Sequence, residues 1–356
     1  MRLLAVLTAV LATVTLACPP PLNNMLYASN KTHSSADLIR LAVTKRWSDA
    51  VTKEGNAHQP WPREGSGKVT YIDYCFSDKN SDDDLRDIVK VAWKMWRDRI
   101  GKAGSRTGHS LSLREQEPPC PEEPYCYLQE SEEFNGDWNP EFSPQTLVIE
   151  SNPGSFAAAV TTTGYIPGDA QGRHRLVVNK RWIGAPDSPV RIMAHEIGHV
   201  FGLWHEHQRR DRNMWLHFDC SKLFGYDDAK KRVEADTAND YTMDQVCDDP
   251  QLCIHYGLGC DQWATRLFVD GGGKYDLTNG QPLDVESIMM YASTAGMYST
   301  QDMTDIDNMP LVKWKNPGDN VPSRRTHDNV EIIPLPEKVS ELDYAGIRHI
   351  YPWISS

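Results

Sequence analysis

The stretch HEIGHVFGLWHEHQRRDR at residues 195–212 decides the fold of this chain. Its first residues continue an apolar helical pattern that begins at residue 190 and is predicted to end at residue 201. Residues four apart on a helix lie on one face, so the side chains of His195 and His199 can face the same ion. A helix that presents two imidazoles in this way predicts a metal site.

The residues around that pair are typical of a catalytic zinc site, not a structural one. Glu196 follows the first histidine, where its carboxylate can hold a water molecule beside the metal and take its proton as general base. Gly202 can adopt the left-handed conformation that breaks the helix and brings His205 back to the metal. Three neutral imidazoles leave a fourth position open for water. We therefore predict one zinc ion per chain, bound by His195, His199 and His205.

The alternative is an ordinary solvated helix with unrelated histidines. The five fixed positions, H, E, H, G and H, coincide by chance on the order of once in ten thousand such chains. Six further histidines lack this context and are expected to be surface or hydrogen-bonded core residues: His174, His207, His217, His255, His327 and His349.

On these residues the chain resembles the astacin family of metzincin proteases, whose zinc signature has the same order. In that family a glutamate follows the third histidine, as Glu206 does here. The resemblance implies that Glu206 anchors the trimmed amino terminus of the mature enzyme. It also implies scaffold roles for Arg209, Asp211 and Arg212, while Asn213 stands where the family usually has Asp.

A second segment, Ser-Ile-Met-Met-Tyr at residues 287–291, resembles the methionine turn that lies beneath the metal in this family. Met289 would be the turn methionine, and Met290 replaces a commonly found histidine. Tyr291 matches the family tyrosine that can sit on the zinc at rest and swing to hydrogen-bond the oxyanion. Without the zinc signature, core packing would be the ordinary interpretation of this Met-x-Tyr pattern.

The pattern along the chain predicts a mixture of strands and helices. Strands are predicted at 69–76, 146–150 and 175–178. Helices are predicted at 85–100 behind a cap at Ser81, at 190–201 between Pro189 and Gly202, and at 340–351 with a capping box of Ser340 and Asp343. Residues 101–144 are predicted to be acidic loops. The segment at 158–165 is a candidate edge strand, with an ordinary buried strand or loop as the alternative.

The first 58 residues predict a secretion signal and a leader. Residues 1–17 carry an apolar run behind Arg2 and end in small residues, as signal peptides do. A membrane anchor is the alternative, but the run is about fourteen residues and an anchor needs about twenty. Residues 18–58 begin with prolines and have one short possible helix at 36–47, so we interpret them as a leader or propeptide.

The leader is expected to keep the enzyme latent. In astacins it supplies an aspartate to the zinc from an aromatic-x-Gly-Asp motif. The nearest match here is Trp-Ser-Asp at residues 47–49, with serine in place of glycine, which makes Asp49 a candidate. Cys18, if unpaired, is the competing ligand.

Composition excludes several classes of protein. The chain has 356 residues, 40% of them hydrophobic and 24% charged, which is typical of a globular protein and not of a disordered one. Its formal net charge of -12 at pH 7 would repel nucleic acid and anionic lipid surfaces. We expect a soluble monomer that acts on proteins or peptides, with no nucleic-acid or membrane partner.

The cysteines indicate disulfides. An even number in a secreted chain favours pairing, and spacings of six and seven residues do not fit the CxxC pairs of a zinc ribbon. Spacing alone leaves the connectivity open. The eight residues are Cys18, Cys75, Cys120, Cys126, Cys220, Cys247, Cys253 and Cys260.

The resemblance implies an α+β fold of the zincin type. A twisted sheet with two long helices forms the upper half, and a loop-rich lower half carries the methionine turn and a C-terminal helix. The catalytic domain is predicted at 59–356. The resemblance fails at 101–135 and at about 214–280, where the chain carries insertions, the second of which contains cysteines.

The predicted function is a secreted zinc endopeptidase. Glu196 would act as general base, Tyr291 would help to stabilise the oxyanion, and an extended peptide could pair with the edge strand at 158–165. One alternative is a secreted binding protein on a zincin scaffold that has lost turnover. Another metzincin branch would change the role of Tyr291, but Glu206 and the arginine-rich continuation favour astacin.

Overall fold

The computed structural model describes most of the chain beyond its first 58 residues. The described residues are 59–63, 68–117, 124–128, 137–153, 159–179, 189–209, 211–265, 283–298, 301–318 and 320–354. The predicted signal, the leader and both candidate latency residues, Asp49 and Cys18, lie outside these residues.

A five-stranded sheet forms the upper half. Its strands are β1 (Thr70–Phe76), β2 (Leu111–Glu115), β3 (Leu147–Ser151), β4 (Ala159–Thr161) and β5 (Arg175–Val178). Their order is β2-β1-β3-β5-β4. All neighbours run parallel except β4, which pairs antiparallel with β5 at one edge. The candidate edge segment is thus a short edge strand in the described sheet.

Helix α1 (Lys79–Ile100) begins earlier than predicted. The cap is Asp78, not Ser81, because the carboxylate of Asp78 accepts the backbone N–H of Ser81 at 2.8 Å, an amide that has no partner within the first turn. The predicted apolar series is buried at Leu85, Val89, Ala92, Trp96 and Ile100. Its spacing of three or four residues turns one face of α1 towards the core.

Strand β2 corrects the prediction that residues 101–144 are loops. Leu111 and Leu113 are buried and alternate with a less buried Ser112, which is the pattern of a strand with one face in the core. Residues Thr70 and Ile72 of β1 pair with these two leucines. Two alternating leucines are too few to stand out in a sequence, so pairing with β1 decides this element.

Helix α2 (Pro189–Val200) carries the first part of the metal motif. It begins at the predicted proline and ends one residue before the predicted end, and Gly202 follows with a φ of 91°. Residues 191–200 are all buried, so α2 is a central helix. The indole of Trp96 donates to the carbonyl of Ala194 at 2.8 Å and joins α1 to α2.

The lower half contains more helices than the loop-rich lower half that was predicted. A small antiparallel sheet contains β6 (Leu216–Phe218), β7 (Leu311–Trp314) and β8 (Val330–Glu331). The predicted insertion contributes α3 (Tyr226–Ala235), α4 (Met243–Asp248), α5 (Pro250–His255) and the 3-10 helix Gly259–Trp263. These elements form their own hydrophobic cluster, which includes Tyr291.

Six cysteines form three disulfides, as the even number predicted. The pairs are Cys75–Cys126, Cys220–Cys247 and Cys253–Cys260. The first joins the upper sheet to a neighbouring loop, and the other two lie within the insertion. Cys18 and Cys120 are outside the described residues.

The chain ends in helix α6 (Glu341–Ile350), whose predicted capping box is present. Ser340 accepts the backbone N–H of Asp343 at 2.9 Å, and the Asp343 carboxylate accepts the backbone N–H of Ser340 at 2.9 Å. The mixed α and β architecture predicted from the sequence is confirmed. None of the helices in the described part of the chain is long and apolar enough to cross a membrane.

Candidate metal centre and active site

Three histidines converge at the end of α2, as the sequence predicted. The Nε2 atom of His205 lies 3.2 Å from the Nε2 atoms of both His195 and His199. All three side chains are buried. Nitrogens bound to one tetrahedral zinc at 2.0–2.1 Å would lie about 3.3–3.4 Å apart. The spacing of these atoms therefore fits one zinc ion.

The other ring nitrogen of each histidine is bound to an oxygen acceptor. The three contacts are His195 Nδ1 to Ile288 O at 2.8 Å, His199 Nδ1 to Leu203 O at 2.9 Å and His205 Nδ1 to Gln208 Oε1 at 2.8 Å. Because oxygen can only accept here, each Nδ1 carries the ring proton and each Nε2 keeps its lone pair. Three lone pairs directed at one point make a donor set that suits a cation.

Burial keeps the imidazole of His205 in the neutral form that binds a metal. It lowers the pKa of His205 well below its usual range, and the neighbouring imidazoles of His199, His207 and His195 lower it further. Protonation would place a positive charge at the point where the three nitrogens meet.

Glu196 lies beside the histidines with its carboxylate buried. Its Oε2 atom accepts a hydrogen bond of 2.6 Å from the hydroxyl of Thr161 in β4. Its Oε1 atom is buried without a hydrogen-bond partner among the described residues. Burial raises the pKa of Glu196 well above its usual range. No motif in the sequence identified Thr161, although it lies within the candidate edge strand.

The methionine turn packs directly beneath α2. A Cβ atom placed on Gly198 would overlap the sulfur of Met289 and press on Trp96. Glycine at this position therefore lets Met289 pack closely against α2, since any side chain would require Met289 and Trp96 to shift.

Tyr291 lies against the histidines. Its ring centroid is 4.6 Å from that of His205, and its ring stacks on His207 with centroids 4.2 Å apart. The hydroxyl is buried without a hydrogen-bond partner among the described residues. Burial raises the pKa of Tyr291 well above its usual range, and the negative charges of Glu196 and Asp261 raise it further. The phenol is therefore a proton donor at neutral pH.

His207 is the hydrogen-bonded core histidine that the sequence predicted, but its position was not foreseen. Its ring stacks on Tyr291 and on His205, and its Nε2 atom lies 2.9 Å from the carbonyl oxygen of Gln262. Burial lowers the pKa of His207 to about 3, so the ring is neutral.

Glu206 is bound by groups of the lower half. Its Oε1 atom accepts hydrogen bonds from Arg209 at 2.8 Å and from the backbone N–H of Asp284 at 3.0 Å. Burial raises the pKa of Glu206 to about 7, against the lowering effect of Arg209. Arg209 also pairs with Asp211 at 2.7 Å. The role of Glu206 in anchoring a new amino terminus stays a prediction.

Asp343 joins the C-terminal helix to the methionine turn. Besides capping α6, its carboxylate accepts the Ser287 hydroxyl at 2.6 Å and the backbone N–H of Ile288 at 2.9 Å. The carbonyl of the same Ile288 accepts the Nδ1 proton of His195. The capping-box pattern in the sequence predicts the first role of Asp343, but no motif predicts this second role.

Gln208, which no motif in the sequence identified, makes four hydrogen bonds. Its Oε1 atom accepts hydrogen bonds from the indole of Trp204 at 2.6 Å and from His205 Nδ1 at 2.8 Å. Its Nε2 atom donates to the carbonyls of Ala264 at 3.2 Å and Asp261 at 3.4 Å. One side chain thus connects the third histidine to the insertion.

A second group of possible metal ligands lies on the surface of the lower half. The side chains of Asp305, Asp307 and His327 are close enough together to share an ion. His327 Nε2 lies 3.9 Å from the carboxylate of Asp305 and 3.6 Å from that of Asp307. The group is largely exposed to solvent, where such clusters are common without an ion.

Comparison with known families agrees with the resemblance in the sequence. The astacin family, described as peptidase family M12A, matches residues 169–258. That segment includes β5, α2, the three histidines, Glu196 and much of the cysteine-containing insertion. The resemblance to astacin is thereby confirmed. No curated protein matches the chain.

Two solved structures are similar to the chain at low identity. High choriolytic enzyme 1, a hatching-enzyme zinc protease of the medaka fish Oryzias latipes, is 14% identical, with a TM-score of 0.43. The alignment covers 87% of this chain and 98% of the enzyme. Myroilysin is 16% identical, with a TM-score of 0.39, and the alignment covers 82% of this chain and 95% of myroilysin. TM-scores this low establish nothing further about the chain.

Proposed function

We propose that this chain, a metalloendopeptidase of the astacin type, is a secreted enzyme that holds one zinc ion on His195, His199 and His205. The observation that carries the proposal is that the Nε2 atom of His205 lies 3.2 Å from those of both His195 and His199, beside the buried carboxylate of Glu196. The Nδ1 atom of each ring is hydrogen-bonded to an oxygen. These bonds hold each ring proton on Nδ1, so all three Nε2 atoms can bind zinc.

Glu196 is proposed as the general base. When bound, zinc supplies Lewis-acid chemistry, polarising the scissile carbonyl and lowering the pKa of a nearby water molecule. Thr161 occupies one carboxylate oxygen of Glu196, while the other has no partner among the described residues. That second oxygen can take the proton from the attacking water and pass it to the leaving amine, so Glu196 ends the cycle unprotonated.

Tyr291 is proposed as the donor to the oxyanion. Its hydroxyl is buried next to His205 with no partner in the described part of the site. A protonated phenol in a dry site can donate one hydrogen bond to the oxygen on which negative charge develops. A site that excludes water strengthens this bond.

The substrate is proposed to be an extended peptide that pairs with β4. This strand lies at the edge of the described sheet, so one row of its backbone groups can pair with another chain. Thr161 ends β4 and contacts Glu196, so a peptide added at this edge runs past the general base.

We further propose that the chain is secreted as a monomer with a removable leader. The proposed divisions are a signal at 1–17, a leader at 18–58 and a catalytic domain at 59–356. Three disulfides in the described residues support an oxidising compartment.

The test uses an unfolded protein as substrate, with and without a chelator, and the variant Glu196→Gln. Glutamine keeps the shape of the side chain and can still accept the Thr161 hydrogen bond, but it cannot take a proton from water. We expect the enzyme to lose hydrolysis with the chelator, and the variant to keep its zinc while turnover falls about a hundredfold or more.

Two results would count against the proposal. Turnover that survives in Glu196→Gln would exclude this residue as general base. Absence of hydrolysis in the wild-type chain with zinc bound would favour the alternative, a binding protein on the same scaffold.

A further inference from the structure

The side chain of Gln208 uses its whole hydrogen-bonding capacity. It is 1% exposed, and its amide accepts two hydrogen bonds and donates two. A glutamine amide offers two acceptor positions and two donor hydrogens, so nothing is left over. A buried amide in this condition has one permitted orientation.

The partners of Gln208 settle which way its amide points. The indole N–H of Trp204 can only donate, so it must face the oxygen. The carbonyls of Asp261 and Ala264 can only accept, so they must face the nitrogen. The oxygen therefore also faces His205 Nδ1, which must carry the ring proton. This leaves the lone pair of His205 on Nε2, where the three histidines meet.

Four consecutive backbone carbonyls of the insertion face the zinc motif. Those of Asp261 and Ala264 accept from Gln208, that of Gln262 is bound by His207, and that of Trp263 accepts from Arg212. All four belong to the 3-10 helix Gly259–Trp263 or the residue after it. We name this run the carbonyl ladder (residues 261–264). It binds the side chains of His207, Gln208 and Arg212.

A disulfide closes the loop that leads into the carbonyl ladder. Cys253 within α5 is bonded to Cys260 within the 3-10 helix, and both are fully buried. A crosslink over so short a loop restricts the conformations available to the backbone next to residue 261.

We propose that Gln208 is a positioning residue for the metal ligand His205, and that the disulfide-closed segment 253–264 is the template that holds Gln208. The proposal rests on the proposed function only in that His205 binds zinc. The cysteine-containing insertion thus helps to orient a ligand of the metal centre.

The experiment measures zinc affinity of the full chain by competition with a chromophoric chelator. Gln208→Met removes all four hydrogen bonds at similar volume, and the affinity is expected to fall about 10–100-fold. Gln208→Glu keeps the acceptor for His205 and Trp204 but turns a carboxylate oxygen towards the carbonyls of Asp261 and Ala264, so its affinity should fall below that of wild type and stay above that of Gln208→Met. Gln251→Met, on the exposed side of α5, is the matched control and should leave the affinity unchanged.

The template is tested by removing the Cys253–Cys260 disulfide with alanine at both positions. Zinc affinity should fall, whereas alanine at Cys75 and Cys126, a buried disulfide of the upper half, should lower the unfolding midpoint without weakening zinc binding. The unfolding midpoint of each metal-free variant shows whether it folds.

The outcomes separate this proposal from the proposed function. A wild-type chain that binds no zinc contradicts the proposed function itself. A wild-type chain that binds zinc, with equal affinity in Gln208→Met, overturns the positioning role alone. A Gln208→Glu variant with wild-type affinity shows that the carbonyls of Asp261 and Ala264 do not hold this side chain and overturns the template, as does unchanged affinity without the Cys253–Cys260 disulfide.

Discussion

The hydroxyl of Thr161 donates a hydrogen bond of 2.6 Å to Oε2 of Glu196, across 35 positions of the sequence. Thr161 is the last residue of the edge strand β4, and Glu196 lies in the middle of α2. This hydrogen bond therefore links the proposed general base to the strand that is proposed to bind the substrate.

Replacement of Thr161 by valine is expected to lower kcat about tenfold to a hundredfold. The change keeps the shape of the side chain and leaves the buried Oε2 atom of Glu196 without its hydrogen-bond donor, which costs about 1–3 kcal/mol. Steady-state kinetics on a peptide substrate measure the effect. Thr162→Val is the matched control, because Thr162 bonds to Arg173 and Arg175 and not to Glu196. Equal losses in both variants would refute a specific role for Thr161.

Replacement of His199 by alanine is expected to abolish zinc binding, from one ion per chain to nearly none. Two imidazoles remain, and a catalytic zinc site requires three protein ligands. Metal analysis of the purified chain after dialysis gives the stoichiometry, with His255→Ala as a control outside the site. Zinc retained in His199→Ala would direct attention to the exposed group of Asp305, Asp307 and His327.

Replacement of Tyr291 by phenylalanine is expected to lower turnover about ten- to a thousandfold with little change in KM, since one oxyanion donor is lost. The unfolding midpoint should not fall, because the hydroxyl has no hydrogen-bond partner among the described residues. Kinetics and thermal unfolding are measured on the same preparation. Tyr256→Phe, whose hydroxyl bonds to Asp236 instead, should leave turnover unchanged. An unchanged rate in Tyr291→Phe would reduce this residue to packing.

Replacement of Asp343 by alanine is expected to lower the free energy of unfolding by about 2–4 kcal/mol, because the backbone N–H groups of Ser340 and Ile288 lose their buried acceptor. Zinc affinity should fall as well, since the Ile288 carbonyl orients His195. Denaturant unfolding and zinc competition measure the two effects.

Gln245→Ala is the matched control for Asp343→Ala. Gln245 occupies the same position in the capping box of α4, on the surface. Its loss should cost about 1 kcal/mol or less and leave zinc affinity as it is. If Asp343→Ala also costs about 1 kcal/mol or less and leaves zinc affinity unchanged, capping of α6 is the whole role of Asp343.

Removal of the leader is expected to raise the rate of hydrolysis. A chain of residues 57–356 is compared with one of residues 18–356 on the same peptide, since the leader is predicted to cover the metal. Asp49→Ala and Cys18→Ala in the longer chain show which of the two candidate ligands keeps it latent. Equal rates for the long and short chains would mean that the leader does not inhibit.

The amino-acid sequence by itself determined the features that depend on near neighbours. His195 and His199 are four residues apart on one helix, so helical geometry alone brings them to one face. The capping box of Ser340 and Asp343 is local in the same way, as is the break at Gly202. Where the local pattern was short or ambiguous the predictions were wrong, as for the cap of α1 and for β2.

Only the tertiary structure decided which residues support this site. Thr161, Gln208 and Asp343 make their decisive contacts with partners 35, 56 and 55 positions away. The disulfides Cys75–Cys126 and Cys220–Cys247 are long-range in the same sense, since they span 51 and 27 positions. Helix geometry relates a residue to its neighbours three or four positions away. Flexible loops between elements do not determine which distant residues come into contact, and the packing of the core does. The meeting of the three histidines could therefore be predicted from one motif, whereas the residues that hydrogen-bond to them became visible only in the folded chain.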